Sequence, residues 1–223
     1  MKIPIIEAVP VIQGEGKTAG QPRLLLRVNG CNLRCKYCDT KYSWAANPEL
    51  IDDSVVTDLL CKYGEWMVTG GEPLLYADQL VSLIGQYRPE WVEVETCGVL
   101  VPQSRLILDH VDLWNISPKR AQDQSVEGTD TTPHLLKAHA SMRDFIIKLV
   151  VTPDMTIDEL KAIIQDYDEN YRIPNLQKRI WLMPETDQGN FLTAEKTWDF
   201  ARQLDVNYSD RLHVRVFGPK RGV

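Results

Sequence analysis

Cys31, Cys35 and Cys38 stand in the segment Gly30-Cys-Asn-Leu-Arg-Cys-Lys-Tyr-Cys-Asp39, a C-x3-C-x2-C spacing with no fourth cysteine nearby. A closed structural zinc or all-cysteine iron–sulfur site takes four protein ligands. Three thiolates in one short loop can instead hold three corners of a 4Fe–4S cube and leave the fourth iron open to a small molecule. Two simpler uses remain open at this point. A zinc knuckle would need a histidine or a distant cysteine, and the remaining cysteines, Cys61 and Cys97, are isolated. A thioredoxin-like pair would use Cys35-Lys-Tyr-Cys38 and leave Cys31 without a role.

A second candidate is Val68-Thr-Gly-Gly-Glu-Pro73. Two glycines after an apolar strand let backbone approach a ligand closely, Glu72 suits an ammonium group, and Pro73 fixes the turn. In Pro10-Val-Ile-Gln-Gly-Glu-Gly16, Gln13 offers a donor and an acceptor to a heterocyclic amide edge. Glu15, between two glycines, reads equally as a solvated turn residue. Arg27 interrupts an apolar run. It either faces outward or is paired inside, where its planar fork matches a substrate carboxylate.

Apolar runs predict strands at residues 3–8, 24–28, 65–69, 91–95, 113–116, 145–151, 180–183 and 212–217. Helical patterns fall at 52–63, 77–87, 134–139, 157–167 and 194–204. Thr156 with Glu159 makes a capping box, whereas Thr193 is followed by Lys196 and gives half of one. Strands separated by helices imply parallel βα units, and about six of them imply a partial rather than a full α/β barrel. The cysteine loop, Thr69-Gly-Gly71, Glu95-Thr-Cys-Gly98 and Ser117-Pro-Lys119 then fall at the carboxyl ends of successive strands, where such sheets gather function. Residues 120–133 read as a lid or, by slight preference, a plain surface loop, Cys61 as core, Cys97 as a partly buried free thiol and Trp44 as packing. The four histidines lack ligand-like spacing.

With 223 residues, 43% hydrophobic and 25% charged, the chain reads as one soluble domain over 1–223. No apolar stretch approaches a membrane span and no signal peptide is evident, which with an odd cysteine count predicts a cytoplasmic protein. A net charge of −6 argues against a nucleic-acid partner.

The cysteine triplet followed by Gly-Gly-Glu-Pro resembles the radical S-adenosylmethionine (SAM) superfamily. There, SAM's amino and carboxylate groups occupy the open iron. Adding Ile12-Gln13-Gly14-Glu15-Gly16, Arg27, Asp39-Thr40, Glu95-Thr96-x-Gly98 and Ser117-Pro118-Lys119, the pattern is similar to the 7-carboxy-7-deazaguanine synthase family of the queuosine and deazapurine pathways. The ending Lys220-Arg-Gly-Val223 matches more weakly, and many relatives lack a cysteine at position 97.

That resemblance implies a lyase that contracts 6-carboxy-5,6,7,8-tetrahydropterin to 7-carboxy-7-deazaguanine with loss of ammonia. A 5′-deoxyadenosyl radical would abstract hydrogen from carbon 6 and SAM would be regenerated. It implies a 4Fe–4S cluster on Cys31, Cys35 and Cys38 and a magnesium ion on Thr40. SAM would lie against Tyr37, Cys38, Asp39, Gly71, Ser117, Pro118 and Lys119. The pterin would meet Ile12, Gln13, Gly14, Arg27, Thr69 and the carboxylate of Val223. A homodimer and a reducing donor such as flavodoxin are implied as well. The rivals are an activating enzyme for a glycyl-radical protein, which shares the cysteine and glycine loops, and a small iron–sulfur electron carrier.

Overall fold

The computed structural model describes residues 3–103, 106–220 and 222. β1 (Ile5–Ile12) runs antiparallel to β2 (Pro22–Val28), joined by a glycine-containing turn. From β2 onward the chain alternates strand and helix: α1 (Asp53–Lys62), β3 (Glu65–Gly70), α2 (Ala77–Tyr87), β4 (Trp91–Thr96), the short α3 (Leu106–His110) and β5 (Leu113–Ile116). Then come β6 (Phe145–Val151), α4 (Ile157–Tyr171), α5 (Leu176–Arg179) and β7 (Ile180–Pro184). A small hairpin of β8 (Thr186–Asp187) and β9 (Asn190–Phe191) precedes α6 (Ala194–Leu204), β10 (Asn207–Tyr208) and α7 (Leu212–Phe217). The main sheet has eight strands in the order β1-β2-β3-β4-β5-β6-β7-β10, and every pairing after the first is parallel.

Successive side chains of a strand point to opposite faces, and here the two faces differ sharply. Leu24, Leu26, Trp66, Val68, Val92, Val94, Trp114, Ile116, Ile147 and Leu149 join one apolar core with Leu60, Leu80, Ile84 and Leu160 of the helices. Each such side chain, fully buried, contributes about 1.5–3 kcal/mol. Among the intervening residues, Arg23, Thr69, Glu93, Asn115 and Lys148 are buried and polar, beside a small apolar cluster of Val11, Leu25 and Met67. A charged inner face costs stability unless every charge is paired, and its pairing builds the site.

Residues 212–217 form a helix, not the expected last strand. Their alternation of branched residues fits both periods over six residues, and only Val214 is buried. β10, two residues long, takes the place beside β7 instead. The expected first strand extends to Ile12 and forms a hairpin with β2, so it is not a βα unit. Residues 134–141 form a 3-10 helix. The Thr156 cap is present, its hydroxyl accepting the Glu159 N–H at 3.2 Å. Thr193 makes no cap bond; its hydroxyl donates to the Val151 carbonyl at 2.6 Å and accepts from the Glu185 N–H at 3.0 Å, stapling β6 to the turn after β7. Cys61 is exposed rather than core, because it lies on the solvent side of α1, whose buried residues are Val56 and Leu60.

Candidate active site

The carboxyl ends of the parallel strands open into a cavity of about 360 Å³. Cys31, Cys35 and Cys38 line one wall. Leu33 and Cys97, both buried, pack with them and line the same cavity, with Val99 packed alongside. The loop that carries the thiols leaves β2 and is held against β3 by close backbone contact. A Cβ on Gly71 would lie 1.9 Å from the Gly30 carbonyl oxygen. One on Gly70, at φ +140°, would lie 2.3 Å from the Val28 carbonyl oxygen. Glycine is required at both positions.

Glu72 does something other than meet an ammonium group. It is completely buried, and its carboxylate accepts the Leu74 N–H at 3.0 Å, the Thr96 hydroxyl at 2.7 Å and the Cys97 N–H at 2.9 Å. It therefore braces the ends of β3 and β4 from inside, which leaves backbone as the ligand-facing part of that loop. Residues 120–133 are likewise no plain surface loop. The Lys36 N–H donates to the Asp123 carbonyl at 2.9 Å, the Ser125 N–H donates to the Arg34 carbonyl at 2.8 Å, and Cys35 bridges Gln124. Arg120 anchors the segment through Asp123, Thr152, Asp154 and Glu159.

Most of the residues expected at the site line this cavity with the thiols: Tyr37, Asp39, Thr40, Gly71, Ser117 and Lys119, and also Ile12, Gln13, Gly14, Arg27 and Thr69. Pro118 faces a neighbouring cavity of about 420 Å³ that shares Tyr37 and Lys119 with the first. Val223 lies outside the described residues. The Thr40 hydroxyl sits 3.5 Å from the Cys38 sulfur. Arg27 is paired inside, its Nε donating to Glu7 at 2.5 Å, with the guanidinium 6.0 Å from the Tyr42 ring centre. Gln13 is buried; its Nε2 donates to Glu93 at 3.0 Å and its Oε1 accepts the Glu15 N–H at 3.1 Å. The Thr69 hydroxyl donates to Glu95 at 2.9 Å.

The charged floor of the cavity went unread in the sequence. Glu15, far from being a solvated turn residue, is buried and forms an ion pair with Lys148 of β6. Arg211 donates from Nε to Glu15 at 2.8 Å and from its fork to Asp39 of the cysteine loop. Glu95 lies 3.6 Å from Lys148. Burial alone would raise the Glu15 pKa, but Lys148, Arg211 and His213 outweigh it and hold the carboxylate below its usual range. Burial would lower the pKa of Lys148; Glu15 and Glu95 reverse this and raise it. Burial lowers the pKa of His213, and Arg211 adds to that against the carboxylates nearby. A signal existed. A lone lysine in Phe-Ile-Ile-Lys-Leu-Val-Val and alternating glutamates in Trp-Val-Glu-Val-Glu-Thr mark strands with one polar face.

Three thiols on one cavity supply the kind of donor that an iron–sulfur cluster takes. Among the described residues no three or more His, Cys, Asp or Glu side chains group so as to hold a metal ion. In a cluster each thiolate takes a different iron, so the sulfurs must stand apart around one mouth. Burial pushes the Cys31 thiol up to about 11 and raises Cys38 as well. A bound metal cation would oppose this shift and favour the thiolate.

A strand–helix sheet with a polar inner face and a three-thiol loop at its rim defines a radical SAM enzyme. In keeping with this, residues 25–167 match the Radical SAM superfamily. Membership implies use of a 4Fe–4S cluster and SAM. Over 94% of its length the chain is 33% identical to the 7-carboxy-7-deazaguanine synthase of Rhodopirellula baltica, covering 84% of that protein. It is 31% identical to the enzyme of the same name from Pyrobaculum aerophilum, across 99% of this chain and 97% of that one. The crystal structure of QueE from Escherichia coli shares the fold, with a TM-score of 0.67 at 20% identity over 95% of this chain and 94% of that one. The chain belongs to the 7-carboxy-7-deazaguanine synthase family.

Proposed function

We propose that this chain contracts 6-carboxy-5,6,7,8-tetrahydropterin to 7-carboxy-7-deazaguanine and releases ammonia. The observation that carries this reading is one cavity lined both by the three-thiol loop and by Arg27, Gln13 and Thr69. Bound cluster and SAM supply the radical that starts the reaction. The protein's part is to hold the reactants in register and keep water out.

Cys31, Cys35 and Cys38 hold the cluster, and Tyr37, Asp39, Gly71, Ser117, Pro118 and Lys119 hold SAM. Ile12, Gln13, Gly14, Arg27 and Thr69 receive the pterin, with Val223 added from the family pattern. Arg27 uses its Nε on Glu7, which aims the rest of the guanidinium fork at a substrate carboxylate. Glu93 and the Glu15 backbone fix the orientation of the Gln13 amide, so its ligand-facing surface is set before substrate arrives. Thr40 would offer its hydroxyl oxygen to magnesium, an ion that prefers oxygen and needs few protein ligands. A homodimer and a reducing donor such as flavodoxin complete the reading. Action in the cytoplasm is part of the same proposal; separately, among the described residues no helix is long and apolar enough to cross a membrane.

An enzyme that activates a glycyl-radical protein would have to admit a polypeptide. The buried ion pairs that close the floor here favour a small polar heterocycle.

The test is anaerobic turnover of the reconstituted protein with SAM, reductant, Mg²⁺ and the pterin, read by mass for 7-carboxy-7-deazaguanine. Product is expected from the parent and none from Cys35→Ala. Formation of 5′-deoxyadenosine without that product would overturn the substrate and leave the superfamily standing.

A further inference from the structure

The three thiols of the loop differ in the donor that each sulfur receives. The Cys31 sulfur accepts the backbone N–H of Leu33 at 3.4 Å, and the Cys38 sulfur pairs with the Thr40 hydroxyl at 3.5 Å. Both partners belong to the cysteine loop itself. The Cys35 sulfur instead accepts from the side-chain amide of Gln124, Nε2 to Sγ 3.3 Å, across 89 positions of sequence.

The orientation of that amide is determined by its second bond. The Arg34 backbone N–H, which can only donate, meets Gln124 Oε1 at 3.0 Å. The amide nitrogen must then face the sulfur. Both partners are shut off from water, Gln124 at 5% exposure and Cys35 at 7%, so the contact acts at low dielectric. The segment is held there by the backbone bonds of Lys36 and Ser125 and by the Arg120 ion pairs. The amide is therefore fixed before any cluster is bound.

We propose that Gln124 sets the reduction potential of the cluster held by Cys31, Cys35 and Cys38, by donating its amide N–H to the Cys35 thiolate. The proposal rests on the cluster assignment made above. One-electron reduction adds negative charge that spreads onto the ligating sulfurs. An N–H dipole aimed at one of them stabilises the reduced form more than the oxidised form, so it raises the potential. Gln124 is a tuning residue; it touches a ligand and no reacting atom.

The experiment compares parent, Gln124→Glu and Gln124→Leu, each loaded with cluster anaerobically, by potentiometry followed by electron paramagnetic resonance. Gln124→Glu keeps an oxygen for the Arg34 N–H and replaces the donor by an acceptor. Gln124→Leu removes both. Each variant is expected to lower the equilibrium constant for one-electron reduction about tenfold, a fall of about 59 mV, with the glutamate at least as low as the leucine. Iron content per chain is measured alongside. A failed cluster assignment would appear as absence of a three-cysteine-dependent cluster in the parent, which separates it from failure of this proposal.

Unchanged potentials in loaded variants would overturn the proposal and reduce Gln124 to a loop fastener. Should neither variant load, the parent decides the matter. With glutamine side chains labelled by ¹⁵N, electron–nuclear double resonance of the reduced cluster is expected to show a nitrogen coupling. Its absence would overturn the proposal just as directly.

Discussion

Lys148→Met removes the cation on which the cavity floor depends and keeps most of the side chain's volume. Lys148 is 4% exposed, pairs with Glu15 and stands 3.6 Å from Glu95. Removing one partner of a buried ion pair costs about 3–5 kcal/mol, because the charge left behind stays desolvated. Here both carboxylates retain other partners. Glu15 keeps Arg211 at 2.8 Å, and Glu95 keeps the Thr69 hydroxyl at 2.9 Å and the Asn115 amide at 3.4 Å. The cost is therefore expected at the low end, about 3 kcal/mol. For a domain of this size that corresponds to a melting point lower by about 6–12 °C. The assay is urea unfolding at pH 7 of identically prepared anaerobic samples, read by circular dichroism, with Glu15→Gln and the double variant completing a cycle. The double variant should recover about 1.5 kcal/mol or more relative to the sum of the singles, as contacting charges do. A loss below about 1 kcal/mol for Lys148→Met, or strict additivity, would refute the view that this pair is buried and mutually dependent.

Four further outcomes are expected. Glu15 titrates below its ordinary 4.5 and His213 below its ordinary 6.5 in the folded protein, so the unfolded chain binds their protons more readily. Stability should fall as pH drops below about 6.5 and fall further below about 4.5, with Glu93, raised by burial, partly opposing the second decline; a flat profile from neutral to acid by urea midpoint would contradict this. Gly71→Ala places a methyl 1.9 Å from the Gly30 oxygen, so the cysteine loop must move, at about 1–3 kcal/mol; full iron content in that variant would show that the loop tolerates the shift. Cys61→Ser, at an exposed position, should leave stability within about 0.5 kcal/mol and iron content unchanged. Arg211→Met removes the bonds to Glu15 and Asp39 and should speed hydrogen exchange of α7 about tenfold or more, since a bond to a charged group contributes about 1.5–3 kcal/mol; equal exchange rates in parent and variant would assign the helix another anchor.

The parts of the site that were legible in the sequence are those whose chemistry is local. The thiol spacing, the paired glycines and the ends of β2, β3, β4 and β5 can each be read in a few consecutive residues, because a loop ligand set and a strand end are local properties. Glu72 was misread for the opposite reason. Its role depends on Thr96 and Cys97, two dozen positions away, whose donors turn the carboxylate inward. Residues 120–133 lack an apolar pattern, so nothing in the segment says that it docks on the cysteine loop through backbone bonds and one glutamine. The 212–217 run misled because six residues with branched side chains satisfy both periods, and tertiary position decides between them.

The same reasoning explains why the floor stayed hidden while the rim was visible. A radical site needs its reactants fixed and water excluded, yet a pterin and SAM are too polar for an apolar pocket to orient. The fold meets both demands by lining the inner face of the sheet with charges that satisfy one another. Glu15 follows β1, Lys148 lies on β6, Asp39 lies in the cysteine loop and Arg211 precedes α7; no two are near in sequence, and their ion pairs tie four separate stretches to one cavity. α7 depends on this arrangement most. It buries only Val214 and leaves Leu212, Val216 and Phe217 exposed, so apolar packing alone gives it little hold. Its position comes from Arg211, from the Leu212 N–H donating to the Gly14 carbonyl at 2.9 Å, and from a His213 ring so close to Gly14 that a Cβ there would sit 2.1 Å from Nδ1. Gly14 is a glycine because α7 closes over it.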